Sequence, residues 1–110
     1  MKNLEKKVLL RVYLSEGDHL HGKPVYEEIV KKARELKLAG ATVLRGLMGF
    51  GAQSHLHSAK ILRLAEELPV VIEIVDTEER LRLLFPFLEE HAGQALATLE
   101  EVRVLSSVEE

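Results

Sequence analysis

The sequence predicts an α+β domain whose elements run β-α-β-β-α-β, and three observations carry that expectation. Residues 7–14 (KVLLRVYL) and 70–75 (VVIEIV) are dense in β-formers. Each is followed, after a polar break, by apolar residues at helical spacing. A third β-like segment, residues 41–48 (ATVLRGLM), lies between the two halves, and the chain closes on β-formers at 96–99 and 102–105. With 110 residues, the chain has room for one domain.

Taken in order, residues 7–14 form strand one and residues 15–23 (SEGDHLHGK) a polar loop. Pro24 stands where the first helical residue belongs, a position that tolerates its missing N–H. Val25, Ile29, Ala33 and Leu36 recur on one face, so helix one spans 24–38 and Gly40 caps its end. Strand two at 41–48 leads into the glycine-led loop 49–58. Residues 59–67 fit a strand arm or a partly helical turn, with helix the better fit. Pro69 opens the third strand. Asp76 or Thr77 then caps a second helix, with Glu78 and Glu79 favourable in its first turn. Leu81, Leu84, Phe85 and Leu88 form its stripe, Pro86 kinks or restarts it, and Gly93 ends it. Two short strands finish the chain. This order is the split βαβ pattern of ferredoxin-like folds, an antiparallel sheet with both helices on one face.

Such a sheet should be polar on its open face, yet Val8, Leu9 and Leu10 are consecutive, as are Val70, Val71 and Ile72. Near-continuous apolar strands imply cover on both faces. The helices cover one, and self-association is the natural cover for the other. Roughly 600 Å² of apolar surface per subunit corresponds to about 15 kcal/mol before the costs of association.

Composition narrows the function. Net charge is −3, with no basic face for nucleic acid and no polybasic run for a membrane surface. The absence of cysteine excludes disulfides, thiolate metal sites and cysteine nucleophiles. The polar start has no apolar signal core and no stretch is long enough to span a bilayer, so a cytoplasmic location is expected. Asn3 is the sole asparagine, Gln53 and Gln94 are the sole glutamines, and 30% of residues are charged, a balance suited to a thermophile.

Two groups could carry chemistry. In Gly49-Phe50-Gly51-Ala52-Gln53-Ser54, alternate glycines let the backbone approach a ligand and expose N–H groups to an anion; the same residues also make an ordinary turn. Phe50 is either buried or stacked on a base. The second group is histidine, with His19 and His21 in one loop and His55 and His57 in the next. They are solvated, contact a ligand, or converge on a metal. Arg45 either binds phosphate or pairs with Glu73. Arg11 fits an interface ion pair. Asp18 and Asp76, the only aspartates, have no obvious partner, and Glu100 and Glu101 read as solvated. There is no Ser-His-acid set and no complete metal signature, so a catalyst is not expected.

The run from Gly40 through Thr42, Val43, Gly49-Phe50-Gly51 and Gln53 resembles the strand that enters the T-loop of PII signalling proteins. Leu68-Pro69 followed by Ile72-Glu73-Ile74-Val75 is similar to the PII exit segment, and Gly93-Gln94 through Arg103 to its B-loop and terminal strand. With Arg45-Gly46 and residues 54–57, the whole resembles a small, uncharacterised PII-like family of bacteria and archaea. The resemblance implies a homotrimer with nucleotide sites in clefts between subunits. It places Gly49, Gly51 and Gln53 in the cleft, and Gly93, Gln94 and Arg103 on the neighbouring subunit or the opposite wall. An Arg of the PII motif is Ala52 here, and the B-loop is reduced to Ala92-Gly93-Gln94. No tyrosine occurs beyond positions 13 and 26. Missing cations favour AMP or ADP over ATP.

The expected function is therefore a trimeric regulator or sensor that binds an adenine nucleotide through Arg45, Gly49, Phe50, Gly51, Gln53, Ser54, His55, Gly93, Gln94 and Arg103. Its 50–58 loop would contact a target enzyme or transporter. A metal-binding trimer of the ion-tolerance type, using the histidines, and a structural adaptor are the alternatives.

Overall fold

The computed structural model describes residues 2–51, 57–58 and 68–107. Strand β1 (Lys2–Ser15) is followed by a small hairpin of β2 (His19–Leu20) and β3 (Lys23–Pro24), then helix α1 (Val25–Glu35). Strand β4 (Thr42–Arg45) gives way to β5 (Met48–Gly49), which pairs with β6 (His57–Ser58). Strand β7 (Pro69–Asp76) leads to α2 (Glu78–Leu81), a 3-10 turn (Arg82–Leu84), α3 (Phe85–His91) and β8 (Leu96–Ser107). The main sheet has the order β4-β7-β1-β8 and every pairing in it is antiparallel. This is the expected ferredoxin-like arrangement.

Alternation sets the two faces. Leu10, Val12 and Leu14 of β1 and Val70, Ile72 and Ile74 of β7 point to one side, against Val25, Ile29 and Ala33 of α1 and Leu81, Leu84 and Leu88 of the second helical segment. Burial along β7 alternates strictly. The consecutive apolar residues read from the sequence thus divide between a buried helix side and a half-covered outer side.

Several boundaries differ from expectation. Strand one begins at Lys2, not residue 7, because Lys2–Lys7 pair with β8 as far as Ser107. The polar stretch has a weak strand signal, and its pairing partner decides. The two closing strands are one continuous strand. Glu100 and Glu101 stay in the ladder opposite Leu9 and Val8, as charges on an edge strand can. Helix α1 stops at Glu35, not 38. The left-handed residue after it is Lys37 (φ 61°), and Leu38 N–H donates to the Ala33 carbonyl at 3.0 Å, so the cap is a Schellman-type closure rather than Gly40. The loop before α1 folds on a two-residue turn, His21 (φ 52°) and Gly22 (φ 79°). Strand two ends at Arg45, where Gly46 N–H turns to the Pro69 carbonyl at 2.7 Å. The kink falls as expected: Pro86 supplies no N–H, and the helix breaks into a 3-10 turn just before it. Residues 59–67 lie outside the described residues.

Asp76 has partners the sequence did not disclose. It is 6% exposed and accepts from Ala39 N–H (2.9 Å), Thr77 N–H (2.7 Å) and Arg80 Nε (3.3 Å). It fastens the α1–β4 connection to the start of α2, where the Thr77 hydroxyl accepts from Arg80 N–H. Burial pushes this carboxyl up, but the hydrogen bonds from Thr77 and Ala39, and the Arg80 charge, outweigh it and hold the group below its ordinary value. A depressed folded value means the stabilisation is whole above the unfolded value near 4 and fades as pH falls through the folded one. Asp76→Ala, which strands two N–H groups, is expected to cost about 3 kcal/mol at pH 7. In urea titrations the gap from the parent protein should be full at pH 7 and shrink below about pH 4.

Candidate functional site

The described members of the expected site fall in three places. Arg45 ends β4, and Gly46 and Gly49 embrace Pro69: a Cβ at 46 would lie 3.0 Å, and at 49 3.3 Å, from the Pro69 ring. The open side of Gly49 therefore meets a proline ring of the same chain. Phe50 is 75% exposed rather than buried, alongside Leu47 at 81% and Met48 at 59%. Arg45 does not reach Glu73. It pairs with Glu16, because its register partner is Val70 and alternation puts it on the helix side, whereas Glu73 points to the outer face. Gln53, Ser54 and His55 lie outside the described residues.

Gly93 and Gln94 sit between α3 and β8, at the same end of the sheet but by its other edge. A Cβ at Gly93 would press to 3.0 Å on the Glu89 carbonyl oxygen, so this glycine lets the chain leave the helix. Arg103 stands apart. It pairs with Lys6, whereas Arg45 connects through Val70 to Leu14, an offset of eight residues (14 − 6) on β1. At ~3.3 Å per residue and three strand spacings of ~4.8 Å, the two arginines are roughly 30 Å apart. Arg103 and Arg45 thus cannot line one cleft within a chain, which removes the opposite-wall alternative for Arg103 but not for Gly93 and Gln94.

The outer face has its own order. Leu44, Val71, Tyr13 and Leu96 form one cross-strand row from edge to edge. Leu44 is 49% exposed and Leu96 63%. The next row is Thr42, Glu73, Arg11 and Thr98, in which Arg11 Nε donates to Glu73 at 3.0 Å and Nη1 to Glu100. Arg11 is thus paired within the chain. The Glu73 hydrogen bond, set against some desolvation and joined by Glu100, raises the guanidinium further above its ordinary value. Sequence reading missed these rows, since only register brings such residues together.

His19 Nδ1 lies 2.6 Å from the Gly17 carbonyl and His21 occupies the hairpin turn. Among the described residues no three His, Cys, Asp or Glu side chains are placed to hold a metal, and no helix is long and apolar enough to cross a membrane. A shallow groove lined by Glu28, Lys31, Lys32 and Phe87 lies on the helix side, its lysines paired with Glu28 and Glu35.

The sheet order and the two helical segments on one face define a PII-like fold. Solved structures agree: CPII, a nitrogen regulatory PII-like protein from Thiomonas intermedia K12, superposes with a TM-score of 0.67 over 93% of this chain and 91% of its own, at 17% identity. That structure is bound to ADP, AMP and bicarbonate. A candidate PII-like signalling protein from Thermus thermophilus gives 0.65 over 93% and 92%, also at 17% identity. The chain belongs to the DUF190 family, whose model ("Uncharacterized ACR") matches residues 7–104. A UPF0166 protein of Aquifex aeolicus is 42% identical over 102 residues, covering 91% of this chain and 94% of the relative. One from Methanocaldococcus jannaschii is 39% identical over 85 residues, covering 77% and 78%.

Proposed function

We propose that the protein is a non-catalytic PII-like regulator that assembles as a homotrimer and binds AMP or ADP in clefts between subunits. The separation of Arg103 from the Arg45–Gly51 end of the sheet carries this reading. Ligand-type residues roughly 30 Å apart on one chain can share a small ligand only when copies join. The open row Leu44, Val71, Tyr13 and Leu96 supplies the apolar surface for joining. The adenine nucleotides bound by CPII support the ligand class. A guanidinium such as Arg103 suits phosphate through bidentate charge-assisted bonds. Exposed Leu47, Met48 and Phe50 at the loop base suit contact with a target enzyme or transporter.

Equilibrium dialysis against AMP, ADP, ATP and cyclic AMP tests the reading, with assembly mass measured on the same sample. AMP or ADP should bind more tightly than ATP. No binding of any of them below millimolar concentration overturns it.

A further inference from the structure

The β1–β8 pairing continues past the sheet. Strand β7 stops at Asp76, opposite Val8, while Lys2–Lys7 go on pairing with residues 102–107 as a two-stranded ribbon. On this ribbon Lys6 stands directly opposite Arg103. Like charges facing each other across a strand pair destabilise it. Most other described cations have a carboxylate partner, such as Lys7 with Glu5 on the ribbon's other face. Within the sheet, on the other face, Arg11 stands between Thr98 of β8 and Glu73 of β7, its opposite charge. Lys6 and Arg103 are both exposed, and neither has an ion pair or side-chain hydrogen bond among the described residues. Glu101, on the same face opposite Val8, pairs with neither. The exposed apolar pair Leu4 and Leu105 adjoins them.

We infer that Lys6 and Arg103 form a two-cation clamp for the phosphates of the nucleotide, presented by the ribbon of one subunit to the Arg45–Gly51 end of the next. The inference rests on the nucleotide reading above and adds Lys6, which supplies positive charge where the loop has Ala52. Two converging donors relieve their own repulsion by sharing one anion.

Calorimetric titration with ADP tests this on the full chain. Lys6→Gln and Arg103→Gln should each weaken binding about tenfold, the loss of one charge-assisted contact. Lys6→Arg should stay within about twofold, and Lys7→Gln, which removes the same charge from the other face, should do the same. Unchanged affinity in Lys6→Gln, an equal loss in Lys7→Gln, or a changed assembly mass in Lys6→Gln overturns the clamp and leaves the nucleotide reading standing. A parent protein that ignores ADP and AMP up to millimolar concentration overturns both.

Discussion

Tyr13→Glu is expected to convert the proposed trimer into a folded monomer. Tyr13 lies inside the apolar row on the outer face, flanked by Val71 on one strand and Leu96 on the other. A lone chain leaves it 39% exposed, so a glutamate there meets water and costs the subunit little. In a trimer joined through this face, the same change buries an unpaired charge in every subunit. The Arg11 guanidinium in the next row is already engaged by Glu73 and Glu100 and offers no spare partner. Burying an uncompensated charge costs several kcal/mol, enough to undo association. Light scattering should fall from three chain masses to one, with circular dichroism unchanged. A variant that keeps the parent mass, or a parent protein that is monomeric at micromolar concentration, rules out this face as the contact.

Ile72→Ala should cost about 4 kcal/mol of folding stability. Ile72 is 0% exposed, at the middle of β7, under both helical segments. The truncation removes buried methyl and methylene groups and leaves a space in the core cluster, with Val12 directly opposite, that close packing refills only in part. Against a typical total of about 5–15 kcal/mol, that loss is most of a small domain's margin. Val71→Ala, one residue along and on the outer face, should cost about 1 kcal/mol or less in a lone chain, and more in the proposed trimer. Urea melts at two protein concentrations measure both. A loss below about 1 kcal/mol at position 72 would place the core elsewhere.

The fold was legible because hydrophobic periodicity is local. Residues 70–75 announced a strand, and Thr77, Glu78, Glu79 and Pro86 announced a capped, kinked helix, all within a few positions of one another. What the sequence withheld depends on residues distant in the chain. Lys2–Lys7 look polar until β8 arrives beside them. Glu100 seems solvated until the β1–β8 register brings Arg11 within reach of it. Lys37 takes the left-handed cap although Gly40 is the better residue for it, because Leu38 must turn back to Ala33. The candidate site was legible in residue type but not in grouping. Glycines, Arg45 and Arg103 were identifiable as ligand-type residues, yet only register shows that Arg103 faces Lys6, and that Arg45 lies at the other end of the sheet. Phe50 was ambiguous because exposure of a loop aromatic is decided by what packs around it.

A strand pair lacking a third neighbour has little cooperativity of its own. Backbone amides between Lys2 and Lys7 should therefore open to solvent exchange far more readily than those of Leu10 and Val12, although all lie on one continuous strand. Protection along β1 is expected to fall as a gradient, steep at Val8, where β7 ends. Whatever settles on the far half of that strand flattens the gradient, so a single chain of amides reports both the integrity of the core and the occupancy of the tip.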